Sequence, residues 1–291
     1  MKFHNSRIEA GRRTLNVATN ADGSGAMPPL LLLNGIGFNT ALLEGLAQGF
    51  AGRRIVIPDM PGCGGSPDPA LPYAMACMAS DMTAMMDTLY PGEAFDCLGF
   101  SWGGALAQQI AVQAQNHLRR LVLVSTTSGV PLPLGDAEMV ARLMDPREYT
   151  DPRRMSRNLS AMLKEGGAGA GLLTRLAAPT PSGVTGQIMA LAGWSVLPLL
   201  PFVRAPVLIM GTSDDIVVPV AHNRFLRCAL PSAEMFELES GGHLAPLASP
   251  ERVLPRLKRF FGAVGGEDRG ASGAAHVARD GGTARGGREA A

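Results

Sequence analysis

Residues 99–104 read Gly-Phe-Ser-Trp-Gly-Gly and fit the pattern G-x-S-x-G, with Ser101 between Gly99 and Gly103. The chemistry this spacing suits is nucleophilic attack by a serine oxygen on an acyl carbon. A serine raised on a sharp strand-to-helix turn brings its neighbours' backbones together, and only glycine leaves room there. The short apolar run Ala94–Leu98 precedes the motif, and Ala105 to Gln115 contain no Pro or Gly and read as a helix. The start of that helix aims backbone N–H groups and a positive dipole end at Ser101.

A serine nucleophile needs a base, and the base needs an orienting acid. Of the five histidines, His4 lies in the opening segment, His117 at a helix end, His222 at a helix start and His276 in the tail. Only His243, in Gly241-Gly242-His243-Leu244, falls in a loop after a late strand, where the ring can swing over Ser101. The acid is expected after Met210, in Gly211-Thr-Ser-Asp-Asp-Ile-Val-Val-Pro219. Asp215 is favoured because Asp-x-x-x-Pro matches the usual acid position, and Asp214 stays open as the alternative. The stretch Ser125-Thr126-Thr127 holds no carboxylate, which removes another common acid position. In this reading His243 takes the Ser101 proton while Asp215 fixes its tautomer.

Developing oxyanion charge requires two donors. One is the N–H of Trp102, the residue after the nucleophile. The other is expected from Asn34-Gly35-Ile36-Gly37, at the N–H of Ile36. A second glycine loop, Asp59 to Ser66, has neither a Lys-Ser/Thr ending nor the order G-x-G-x-x-G, so it reads as a structural turn rather than a phosphate cradle.

The elements that must position these residues alternate. Arg7–Ala10 and Arg13–Ala18 look like an opening hairpin, and Leu30–Leu33, Arg54–Ile57, Phe95–Leu98, Leu121–Val124, Val207–Met210 and Glu234–Leu238 are short apolar strands. Thr40–Phe50, Tyr73–Leu89 and Val220–Cys228 read as helices between them. The rhythm implies an α/β fold: a mainly parallel central sheet with helices on both faces. From Pro131 to about Arg204 it breaks into helical pieces punctuated by Pro and Gly. The expected organisation is a core of residues 1–130 and 205–264, a helical lid at 131–204 and a disordered tail at 265–291. Ser249-Pro250-Glu251 should start the closing helix, with Pro255 kinking it.

Composition narrows the classes. The chain has 291 residues, a net charge of +1 and 18% charged residues, so no basic field draws nucleic acid or acidic lipid. No apolar core segment marks a signal peptide at the N-terminus and no apolar run is long enough for a membrane span. Four cysteines without paired spacing read as reduced thiols, and no residue set implies a metal or cofactor. A cytoplasmic protein is the expectation.

With those residues in place the chain resembles the α/β-hydrolase superfamily, through Ser101, Asp215, His243 and the Asp59–Ser66 loop. It is further similar to the intracellular depolymerases of medium-chain-length poly(3-hydroxyalkanoates). The resembling segments are residues 32–37, 58–66, 101–109, 145–149, 191–194 and 241–244, spanning the insertion as well as the core. Asn34 stands where many members of the superfamily carry His, and Asn is similar to what this depolymerase group has. The resemblance implies a serine esterase that cuts stored polyester to 3-hydroxy acids or oligomers, with a storage-granule surface as partner. The insertion would then cover the C-terminal edge of the sheet. Its Met155, Met162, Met189, Trp194 and Leu197 suit an apolar acyl pocket. Asn34, Phe38, Trp194 and Met189 are the substrate-side candidates. The alternatives are a 3-hydroxyacyl transferase of similar motifs, a small-ester carboxylesterase of the same fold, and a non-catalytic granule-surface protein. The complete set of three catalytic candidates argues against the last.

Overall fold

The shortest apolar runs of the chain form its central strands. Leu30–Leu33 (β3), Ile55–Pro58 (β4), Phe95–Phe100 (β5) and Val207–Thr212 (β7) are buried along their whole length. Strands covered on both faces need no alternation of apolar and polar residues. With Phe3–Ala10 (β1), Arg13–Asn20 (β2), Leu118–Val124 (β6) and Ala233–Leu238 (β8) they form one eight-stranded sheet in the order β1-β2-β4-β3-β5-β6-β7-β8. The pairs β1–β2 and β2–β4 are antiparallel, and the remaining pairs are parallel. This computed structural model describes residues 1–20, 23, 25–129, 132–163 and 175–262. The tail expected at 265–291 lies outside them.

The opening hairpin runs further than its apolar signal, pairing Phe3 with Asn20 and Ala10 with Arg13. Its first strand is largely exposed, so the polar residues His4, Asn5 and Ser6 carry no alternation to read. Gly11 turns the hairpin at φ +59°, and a Cβ there would lie 2.7 Å from Asp81 Oδ1.

Helices fill the crossovers: Ala41–Ala47 (α1), Met75–Leu89 (α2) and Trp102–Gln113 (α3) in the first half. After β6 comes the inserted helical region, with Ala137–Leu143 (α4), Arg147–Thr150 (α5), Pro152–Met162 (α6) and Pro181–Leu191 (α7), then a 3₁₀ turn at Leu197–Phe202. Helices α4, α6 and α7 start on capping side chains: Asp136 accepts from Met139 N, Asp151 from Arg153 N and Arg154 N, and Thr180 from Gly183 N. Pro152 and Pro181 occupy first helical positions, where a missing N–H costs nothing.

The core closes with Val220–Ala229 (α8), a single turn Ala245–Ala248 (α9) and Leu254–Gly262 (α10). The expected kinked closing helix is corrected here. Pro250–Arg252 form a separate 3₁₀ turn and the helix begins at Leu254. Pro255 therefore sits in its first turn, where proline is tolerated without a kink. Phe261 of this helix meets Phe50 edge-on at 5.8 Å, tying the C-terminal helix to the turn after α1. Among the described residues no helix is long and apolar enough to cross a membrane.

Candidate active site

Ser101 sits between β5 and α3 at φ 52°, ψ −115°. This is a backbone region that L-residues avoid, held here by surrounding contacts. A Cβ on Gly99 would stand 2.2 Å from the carbonyl oxygen of Gly103, and one on Gly103 would stand 2.3 Å from that of Leu33. A Cβ on Gly104 would meet Thr126 at 2.6 Å. Side chains at any of these positions would push the turn apart. Ser101 N donates to Val124 O at 2.9 Å, and the Thr126 hydroxyl donates to Ser101 O at 2.7 Å. The strain is thus fixed from β6 on one side and α3 on the other.

Asp215 and His243 come from the loops after β7 and β8. His243 Nδ1 and Asp215 Oδ2 are 2.8 Å apart, with side chains 3% and 1% exposed. The other carboxylate oxygen of Asp215 accepts from Val217 N at 2.8 Å and Val218 N at 2.9 Å. That leaves Oδ2 for the imidazole and fixes its direction. Asp214 faces the other way: it accepts from the amides of Gly241 and Gly242 and so shapes the histidine loop. Gly241 and Gly242 adopt φ of 119° and 77°, which a side chain would oppose. The His243 ring lies over Phe100, the residue before Ser101, with centroids 5.0 Å apart. The structure therefore brings Ser101, Asp215 and His243 to one end of the parallel strands.

The loop after β3 completes this end. Asn34 and Phe38 are buried, and the Asn34 amide donates to Asn39 O at 2.8 Å. A Cβ on Gly35 would lie 3.1 Å from the Phe100 ring, so the loop packs directly on the residue beneath His243. Among the described residues neither Ile36 N nor Trp102 N finds an acceptor. Met189 and Trp194 meet other surroundings: Met189 is 50% exposed on α7, and the Trp194 indole donates to Gln109 of α3 at 2.7 Å.

Four residues here escaped the sequence reading. Phe100 carries the His243 ring and Thr126 holds the Ser101 carbonyl. Tyr149 of α5 packs against Gly37, where a Cβ would stand 2.4 Å from its ring. Gln187 of α7 accepts from Gly37 N at 2.8 Å. A glutamine within the Gly-rich apolar run 183–191 is the one signal that could have drawn attention to it.

The Asp59–Ser66 loop is an internal brace. Asp59 accepts from Thr40 N, Asn16 Nδ2 and Gly65 N, and burial pushes its carboxyl above the usual range despite these bonds. Burial also pushes the Cys63 thiol well up, which leaves it without nucleophilic character. His222 on α8 sits 3.2 Å from Pro133 O through Nε2, and burial lowers its basicity.

The comparisons with known proteins agree with this architecture. A family model described as the alpha/beta hydrolase fold matches residues 28–164. The chain has the α/β-hydrolase fold. It is 29% identical to a poly(3-hydroxyalkanoate) depolymerase of Ectopseudomonas oleovorans, over 87% of this chain and 91% of that protein. It is 25% identical to a pimeloyl-[acyl-carrier protein] methyl ester esterase of Nitrosomonas europaea, over 83% and 97% of the two chains. Among solved structures, an esterase from Exiguobacterium antarcticum superposes with a TM-score of 0.78 at 20% identity, covering 89% of this chain and all of that one. That identity carries the fold alone. In this fold the end of β6 offers Ser125 where another acid could stand; the residue is buried at φ 48°. Among the described residues no group of three His, Cys, Asp or Glu is placed to hold a metal.

Proposed function

We propose that this α/β-hydrolase is a serine-type carboxylic ester hydrolase working through Ser101, His243 and Asp215. The observation that carries the reading is the 2.8 Å Asp215–His243 hydrogen bond, formed with the imidazole tilted against the ring of the residue next to Ser101. Ser101 Oγ attacks the ester carbon as His243 Nε2 takes its proton. Asp215 accepts from Nδ1–H and holds the ring in that tautomer. The N–H groups of Ile36 and Trp102 receive the charge on the former carbonyl oxygen, where each donor contributes about 3 kcal/mol to the barrier reduction. The tetrahedral centre collapses, the alcohol leaves with the proton from His243, and an ester of Ser101 remains. Water, deprotonated by the same histidine, releases the acid.

The insertion acts as a lid in this account. Leu244 N, next to His243, donates to Met162 O of α6 at 3.3 Å, so the inserted helices meet the histidine loop directly.

A narrower reading makes stored poly(3-hydroxyalkanoate) the substrate, in the cytoplasm at a granule surface. Two observations favour it. The match to the depolymerase extends over 87% of this chain, and four large apolar side chains of the insertion, Met144, Met189, Leu199 and Phe202, are exposed. Small esters remain the broader assignment, because relatives of comparable coverage act on other esters by name.

The test uses p-nitrophenyl butyrate and amorphous medium-chain polyester particles, with Ser101→Ala beside the wild type. Hydrolysis of the small ester, abolished in the variant, supports the esterase. Release of 3-hydroxy acids from particles supports the narrower reading, and small-ester activity alone sinks it. Release only after an acyl carrier or coenzyme A is added moves the assignment to acyl transfer.

A further inference from the structure

Gln187 is a polar side chain with no solvent exposure, on the α7 helix of the insertion. Its Oε1 accepts from Gly37 N at 2.8 Å and lies 3.6 Å from the Cys63 thiol. Its backbone carbonyl accepts from the Trp102 indole N–H at 2.8 Å. One residue of the insertion thus grips both segments that carry the oxyanion donors. The amide orientation follows from chemistry, since a backbone N–H can only donate and Oε1 must face Gly37. Nε2 is then buried without a partner among the described residues. Such a group is costly, and a glutamine kept there needs a reason.

We infer that Gln187 is the positioning residue of the oxyanion hole. This rests on ester hydrolysis at Ser101. Gly37 N–H belongs to the peptide unit on the carboxyl side of Ile36, so fixing it limits how the Ile36 N–H can turn. Gly37 itself stands at φ +74°, a conformation that needs an external hold to favour one orientation. The indole bond does the same for Trp102, whose own N–H is the other donor. The approach of α7 is built for this grip. A Cβ on Gly183 would lie 2.7 Å from Gly62 Cα, and Thr180 N donates to Gly62 O at 2.8 Å. Glycine at both contact points lets the helix backbone descend until Gln187 reaches the loop.

The experiment compares wild type, Gln187→Met, Gln187→Glu, Trp102→Phe and Ser101→Ala on p-nitrophenyl butyrate. Methionine keeps the length of the side chain and removes the acceptor; glutamate keeps the acceptor. The expected result for Gln187→Met is a kcat about 10- to 100-fold lower with KM within about twofold, as misplacement of a transition-state contact gives. Inhibition by an alkyl trifluoromethyl ketone, whose adduct with serine places an oxyanion in the hole, weakens by the same factor. Gln187→Glu recovers most of both. Trp102→Phe, which removes the indole donor and part of the ring but keeps the backbone N–H of position 102, gives a smaller kcat loss with KM unchanged, and carries the test if Gln187→Met does not fold. A Gln187→Met enzyme with wild-type kcat and ketone affinity, or one changed in KM alone, overturns the inference while an inactive Ser101→Ala leaves the esterase assignment standing. Full turnover by Ser101→Ala would remove that assignment and this inference together.

Discussion

Asp215 reaches His243 across 28 positions of sequence with a 2.8 Å hydrogen bond, while its neighbour Asp214 binds the backbone of the loop on which that histidine stands. Two adjacent carboxylates divide the work, one orienting the ring and one shaping its loop. Asp215→Asn should lower kcat by about 10³–10⁴-fold, because an amide in that place favours the wrong imidazole tautomer. Asp214→Asn should lose less than about 100-fold, the range of a displaced loop. Steady-state rates of the two variants on one ester check the division; equal losses would reject it.

Steric closeness at the serine turn sets a second expectation. Gly103→Ala places a methyl group 2.3 Å from Leu33 O and 2.5 Å from Asn34 O, and the backbone on both sides is fixed. The variant should lose about 3 kcal/mol or more of stability. Gly45 is the control, lying within α1 with nothing inside 4 Å of an added Cβ. Gly45→Ala should gain about 0.5–1 kcal/mol. Denaturant unfolding of both variants measures the contrast.

These glycines also mark how far the sequence can be read. Strands such as Leu30–Leu33 are legible because burial on both faces demands an unbroken apolar run. Ser101 and His243 are legible because chemistry fixes their neighbours, Gly103 and Gly104 in one case and Gly241 and Gly242 in the other. The spacing to Pro219 favours Asp215 over Asp214, and Asp215 is the one hydrogen-bonded to His243. Gln187 was not legible in that way, since its partners Gly37 and Trp102 are 150 and 85 positions distant. Pro255 misled for a local reason: proline breaks a helix interior but is tolerated in a first turn, and sequence does not locate the turn. The polar start of β1 pairs through its backbone ladder, with an exposed bond from Asn16 Nδ2 to Asn5 Oδ1 beside it, and neither leaves an apolar pattern.

His222 gives the pH expectation. Burial lowers its basicity, while Nε2 is placed to donate to Pro133 O in the neutral form. The unfolded chain therefore binds more protons here than the folded one as pH falls through the ordinary histidine range. The contribution to stability is present above the unfolded value and is lost as pH falls through the lower folded value. Thermal unfolding between pH 8 and pH 5, on the order of the range where histidine titrates, should show a falling Tm. His222→Gln should flatten the fall, and an unchanged slope would contradict this.

The most direct measurement of the central claim is covalent labelling with an alkyl fluorophosphonate, read by intact mass and peptide mapping. One adduct per chain is expected, on Ser101, with ester turnover lost in proportion to labelling. His243→Ala should slow the labelling about 10³-fold or more. An adduct on another residue, or ester turnover that survives complete modification of Ser101, would contradict it.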